Sequence, residues 1–262
     1  MIKLNDKQVD LNKFPDGTFL IKEEAPAEPV TITWLFEKNE EMLALYFLTK
    51  HLQSKGVEKI SLQMPYIPNA RQDRVKAQED VFTLKYFAEL INSLKFQKVL
   101  VLDPHSYVSE ALFEHIEIQT PKKYVEKVLE KIQKDKLMLF FPDEGAMKRY
   151  SNMFALPYAF GMKKRDWATG QIKGLDVTGQ TECIPGSTVL IVDDICSKGG
   201  TFYYSAKALK ELGAKEVYLY ISHCENSIFE GDLLKTDLVD KVFTTNSILT
   251  KEHEKVEVFD YE

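Results

Sequence analysis

A chain of 262 residues with 44% hydrophobic residues can bury a substantial core, and at about 150 residues per domain its length allows one large domain or two smaller ones. The net charge of -6 and pI of about 5.6 leave no global cationic field to draw it to nucleic acid or an anionic membrane, so any anionic ligand must be met by local charges. The opening MIKLNDKQVD has no apolar stretch behind a basic patch, and runs such as Leu137 to Phe141 fall far short of the roughly 20 residues of a membrane span. The expectation is a soluble, cytoplasmic protein with neither nucleic acid nor membrane as partner. Cys183, Cys196 and Cys224 are too scattered for a disulfide framework or a CxxC metal site and read as small buried or loop thiols.

From residue 30 onward, short β-rich runs alternate with longer amphipathic ones. Strands are expected at Val30 to Phe36, Lys59 to Met64, Val99 to Asp103, Leu137 to Phe141, Thr188 to Asp193, Val217 to Ser222 and Lys241 to Thr245. Helices are expected between them at Glu40 to Ser54, Val81 to Leu94, Lys122 to Lys134 and Thr201 to Leu212, the last closed by Gly213. This alternation predicts an α/β fold of mainly parallel sheets flanked by helices, divided into domains at 1–116 and 117–262.

Open α/β sheets bind ligands beyond the carboxyl ends of their strands. Those positions carry unusual polar stretches: PYIPNARQDR after Met64, DPHS after Leu102, PDEGAMKR after Phe141 and DDICSKGGT after Val192. In the last, a buried strand delivers Asp193 and Asp194, and a short glycine-containing turn then leads into a helix. Backbone N–H groups of such a turn, with a helix N-terminus, suit a monophosphate, and the two carboxylates suit a diol or a hard cation. Walker A spacing is absent, and the bland reading is a βα turn with acidic capping residues.

The stretch Val189 to Thr201 resembles the phosphoribosyl diphosphate-binding signature shared by type I phosphoribosyltransferases and ribose-phosphate diphosphokinases. PYIPNARQDR is similar to the PY-x-x-YARQDR stretch of the diphosphokinases. FPDGT at Phe14 to Thr18 resembles their F-S-D-G-E loop, DPHS their DLHA, and PDEGAMKR their SPD-x-GG-x-x-R. All occur in that family's order, across residues 10 to 250.

The resemblance implies two phosphoribosyltransferase-like, Rossmann-like domains and transfer of pyrophosphate from Mg·ATP to ribose 5-phosphate, giving phosphoribosyl diphosphate and AMP. It implies that Phe14, from a neighbouring subunit, and Arg71 clamp the adenine, that Asp16 accepts from its amino group, and that Gln72 and Asp73 contact the nucleotide. His105 and Asp143 would serve the metal and phosphate region, with Mg²⁺ as cofactor or Mn²⁺ in its place. Asp193 and Asp194, with the turn Ser197, Lys198, Gly199, Gly200 and Thr201, would hold ribose 5-phosphate. KKRDWATGQIKGLDVTG, residues 163–179, is read as a long loop resembling the family's catalytic lid, with Lys163 and Arg165 as its transition-state cations. A homo-oligomer built on dimers follows from the shared adenine site, with a hexamer as the larger form.

The match departs at several points. Thr18 stands where the family has Glu, Ser197 and Lys198 where it has Asp-Thr, and Ala146 where it has Gly. VKAQEDVFTLK follows ARQDR in place of KARSREPITAK, and much of the usual first strand and helix and the last helix has no counterpart, so altered regulation is expected. Two rival readings are a type I phosphoribosyltransferase, carried by Val189 to Thr201 alone, and a non-catalytic synthetase-associated subunit.

Overall fold

The computed structural model describes residues 1–132, 136–165 and 172–262, and for 163–165 and 172–174 the backbone. The chain forms two compact units, Met1–Thr120 and Pro121–Glu262.

The first unit runs β1 (Ile2–Leu4), β2 (Lys7–Gln8), β3 (Asn12–Lys13), β4 (Phe19–Leu20), β5 (Val30–Trp34), α1 (Glu41–Ser54), β6 (Ile60–Gln63), α2 (Thr83–Ser93), β7 (Lys98–Leu102), α3 (Val108–Leu112) and β8 (Ile116–Gln119). Its main sheet has the order β2-β1-β5-β6-β7-β8, parallel from β5 to β8 and antiparallel at β1 and β2. Leu84, Phe87, Ala88 and Ile91 recur at helical spacing on α2, as do Leu45, Leu48 and Leu52 on α1, so each helix lays one apolar stripe on the core. Buried Trp34 donates its indole N–H to Glu41 Oε2 at 3.0 Å, which ties the end of β5 to the start of α1 and satisfies both groups.

The second unit runs α4 (Lys122–Lys131), β9 (Leu137–Phe141), α5 (Glu144–Tyr150), β10 (Tyr158–Arg165), β11 (Ile172–Gly179), β12 (Thr188–Cys196), α6 (Gly200–Glu211), β13 (Glu216–Cys224), β14 (Lys241–Thr245) and β15 (Val256–Phe259). Seven strands are ordered β11-β10-β9-β12-β13-β14-β15, parallel except for the β10–β11 pair. From β9 the chain crosses to β10 on one side; from β12 it crosses to β13 on the other. The direction of winding therefore reverses between β9 and β12, where the loops diverge and leave a crevice.

The α/β fold class and every expected strand and helix are present, with shifts of a few residues at the ends. Helix α4 ends at Lys131, and the remainder of its expected span, 133–134, lies outside the described residues. One expectation is corrected. The polar stretch 163–179 is for the most part not a loop: β10 continues to Arg165 and β11 returns from Ile172, pairing Lys163 with Leu175 and Met162 with Asp176. Leu175 and Val177 pack on the core while Asp176 and Thr178 alternate with them, so a two-residue period was hidden in a segment that averages polar. Residues 166–171 lie outside the described residues.

Candidate active site

In the first unit the chain leaving β6 stays alongside the end of β7, because the pairing continues past β6: Met64 N–H donates to Leu100 O at 2.8 Å and Leu102 N–H to Pro65 O at 3.0 Å. Asp73 joins them. It is only 6% exposed. Its Oδ1 accepts from Arg74 Nε at 2.8 Å, and its Oδ2 accepts from Arg74 Nη2 at 3.1 Å and from the Ser106 hydroxyl at 2.6 Å. The Arg74 hydrogen bonds, reinforced by Ser106, hold the Asp73 carboxyl at about 2 against an ordinary 3.8. Gln72 anchors the same stretch through its side-chain oxygen, which accepts from Thr83 Oγ1 at 3.0 Å, and leaves Arg71 exposed beside it. His105 is half-buried two residues after Asp103, a buried residue in the left-handed region at φ 41°. For a residue other than glycine this is a strained conformation, held here by the surrounding packing.

Phe14 to Thr18 forms the turn of the β3–β4 hairpin, with Gly17 at φ 84° supplying the left-handed residue. Asp16 Oδ1 accepts from Thr18 N–H at 2.9 Å and from the Thr18 hydroxyl at 2.7 Å, which lowers its carboxyl below the usual range. Thr18 thus orients Asp16, a role that the departure from Glu did not suggest. Phe14 is 49% exposed, a large apolar ring presented to solvent.

In the second unit the functional stretches flank the reversal between β9 and β12. Asp143 follows β9 and caps α5, its Oδ1 accepting from Ala146 N–H at 3.1 Å. A Cβ on Gly145 would sit 3.2 Å from that oxygen, so a small residue there leaves the carboxylate room. Strand β12 carries Asp193 and Asp194 to its end. Asp194, 5% exposed, accepts from Arg149 Nη1 at 3.1 Å through its Oδ2. Arg149 comes from α5, the other side of the crevice, and was missed as a site residue although it lies inside PDEGAMKR. Burial, then the charges of Asp194 and Asp143, push the Asp193 carboxyl well above the usual carboxylate range. Ser197 to Gly200 makes the turn into α6: Gly199 at φ 81° is the N-cap, and no side chain caps the helix. Cys196 and Cys224, neighbours across β12 and β13, are buried, and their mutual hydrogen bond and burial raise the Cys196 thiol well above its ordinary range.

A divalent cation fits this donor set. Three carboxylates close enough to repel one another offer hard oxygens and gain from a positive charge. Among the described residues no group of three or more His, Cys, Asp or Glu is arranged to hold a metal ion by itself. Mg²⁺ is usually held by one or two carboxylates together with substrate phosphates. Strand β10 passes close to Pro142, where a Cβ on Gly161 would lie 2.8 Å from the carbonyl oxygen. Backbone pairing puts Lys163 and Arg165 further along this strand; their side chains lie outside the described residues.

An acidic strand end, a glycine turn and a helix without a side-chain cap stand beside a winding reversal, and residues 147–255 match the phosphoribosyl transferase domain family. The whole chain is 30% identical to the ribose-phosphate pyrophosphokinase of Pyrococcus abyssi over 264 residues, covering 97% of this chain and 88% of that one. The enzyme of the same name from Bacillus subtilis is 27% identical over 225 residues, covering 84% and 70%. A solved phosphoribosylpyrophosphate synthetase from Mycobacterium smegmatis superposes with a TM-score of 0.80 at 18% identity, covering 97% of this chain and 86% of that one, which shows a common fold. The chain belongs to the ribose-phosphate pyrophosphokinase family, the diphosphokinases under their other name, and is an enzyme of phosphoribosyl diphosphate synthesis. No described helix is long and apolar enough to cross a membrane.

Proposed function

We propose that the enzyme transfers the terminal pyrophosphate of Mg·ATP to the anomeric hydroxyl of ribose 5-phosphate, releasing AMP. The observation that supports the sugar-phosphate half of this reading is the end of β12, where the acidic pair and the glycine turn stand together at the winding reversal, and kinship with the pyrophosphokinases supports ATP as the donor. There the turn Ser197 to Thr201 and the first turn of α6 take the 5-phosphate, and Asp193 and Asp194 take the ribose hydroxyls. Arg149 pairs with Asp194 and fixes the orientation of this carboxylate as an acceptor. Phe14, reaching from a neighbouring subunit, and Arg71 clamp the adenine, with Asp16 accepting from its amino group. Asp73 and Gln72 act mainly by holding the ARQDR stretch in shape, since their polar groups already bind Arg74, Ser106 and Thr83.

The family resemblance assigns His105 and Asp143, each within its own unit, to the metal and phosphate region, where Mg²⁺, or Mn²⁺ in its place, would supply charge compensation for the phosphate oxygens. Lys163 and Arg165 add cationic charge as the β-phosphorus changes partners. Such transfers need little covalent help, so positioning and preorganised charge account for the rate.

The test is a mass-spectrometric assay of the purified protein with ATP, Mg²⁺ and ribose 5-phosphate. Equimolar AMP and phosphoribosyl diphosphate, both absent without the sugar phosphate, are expected. ADP with a singly phosphorylated sugar product, or no turnover by a folded sample, would overturn the proposal.

A further inference from the structure

The turn between β12 and α6 is gripped from behind by the segment that follows β13. Residues Asn226–Glu230 and Leu233–Lys235 form two short 3₁₀ turns, and Gly231 between them lies against the backbone of Lys198. An ideal Cβ on Gly231 would overlap the Lys198 carbonyl oxygen and come within 2.9 Å of its carbon, so no larger residue fits without moving the turn. Next to it, a Cβ on Gly199 would lie 3.0 Å from Leu233 Cδ2 and 3.1 Å from its Cβ, and Leu233 is buried. The same segment also reaches the side chain of the turn: Lys198 Nζ pairs with Glu230 Oε2 at 3.2 Å. Lys198 is one of the positions at which this chain departs from the phosphate turn of the family it resembles, and a carboxylate stands beside it.

We propose that Glu230 and Gly231 form a clamp that sets the affinity of this turn for the 5-phosphate. Gly231 fixes the Lys198 carbonyl, and with it the direction of the N–H groups that follow. Glu230 holds the Lys198 ammonium in the absence of substrate and yields it to the incoming phosphate. The exchange favours phosphate, which carries about -1.5 to -2 charges against one for the carboxylate and also meets the N-terminus of α6. Both ends of the ion pair are solvent-exposed, so the competition is modest and sensitive to salt. The inference rests on the reading of Ser197 to Thr201 as the 5-phosphate site.

The experiment is steady-state kinetics of AMP formation with ribose 5-phosphate varied at saturating Mg·ATP, on the full chain and four variants: Glu230→Gln, Lys198→Ala, the two combined, and Gly231→Ala. Glu230→Gln is expected to lower KM for ribose 5-phosphate by about two- to fivefold at low salt, with the effect confined to that KM. The gain should vanish at high salt and in the Lys198→Ala background. Gly231→Ala should raise the same KM by about tenfold or more while KM for ATP stays put. If Lys198→Ala weakens ribose 5-phosphate but Glu230→Gln changes nothing, the clamp is wrong and the phosphate reading stands. If neither Lys198→Ala nor Gly231→Ala alters that KM, the phosphate reading fails and the clamp with it. Should Gly231→Ala not fold, the Glu230→Gln and Lys198→Ala cycle decides alone.

Discussion

Two carboxyls of the candidate site are displaced from their ordinary range in opposite directions, for opposite reasons. Asp73 is held near 2 by hydrogen bonds to Arg74 and Ser106. Its folded value lies below its unfolded one, so its contribution is fully present above about 3.8 and lost as pH falls toward about 2. Arg74 is 64% exposed at its side chain and partly screened, which discounts the contribution to about 1–2 kcal/mol. Asp73→Asn should therefore cost about 1–2 kcal/mol in urea unfolding at neutral pH, with the gap to the parent closing below pH ~3.8. Asp193 is the reverse case, its carboxyl raised by burial and by Asp194 and Asp143. A raised folded value means that stability falls as pH climbs from the unfolded value to the folded one, and stays lower above it. Asp193→Asn should raise Tm at neutral pH, less so near pH ~4, while turnover drops by about 10²-fold or more. An unchanged or lower Tm at neutral pH would show that Asp193 is better accommodated than its surroundings imply.

At the scale of elements, the parallel strands and their helices were legible because their patterns are long and strong. Runs such as KVLVL and TVLIVDDIC are apolar on both faces, and the helices carry stripes at 3.6-residue spacing. What escaped was short or averaged away. Strands β1 to β4 are two or three residues each, too short for a period to register, while β8 and β15 are four residues with mixed burial. The β10–β11 hairpin hid its alternation behind lysines. Within the site, the acidic pair and the glycine turn could be read from spacing, but Arg149 and Ser106 could not be assigned partners. Their bonds to Asp194 and Asp73 join residues 45 and 33 positions apart, which no local pattern reports. The hairpin also makes a prediction of its own. Lys163→Ala, on β10, should lower kcat by about 10²-fold or more with little change in Tm; an unaltered rate would remove Lys163 from the reaction.

At the scale of the whole molecule, a chain with a net charge of -6 is proposed to bind two polyanions, so its cationic groups must act locally. The exposed ring of Phe14 suits a base held by a neighbouring subunit, and an assembly of at least two chains follows from that reading. Light scattering should therefore give a mass of at least twice 30.2 kDa, and Phe14→Ala should raise KM for ATP without changing that mass. A strictly monomeric active enzyme would place the adenine elsewhere. The sheet of the second unit has one more consequence. The turn proposed to take the 5-phosphate springs from β12, an interior strand with neighbours on both sides, whereas the β10–β11 hairpin forms the margin. Interior strands tolerate neither insertion nor slippage, but a margin can lengthen, shorten or change sequence without disturbing the pairing behind it. On the proposed reading, descent with modification has been handed a fixed grip on the sugar phosphate and a free hand with the strand that carries Lys163 and Arg165.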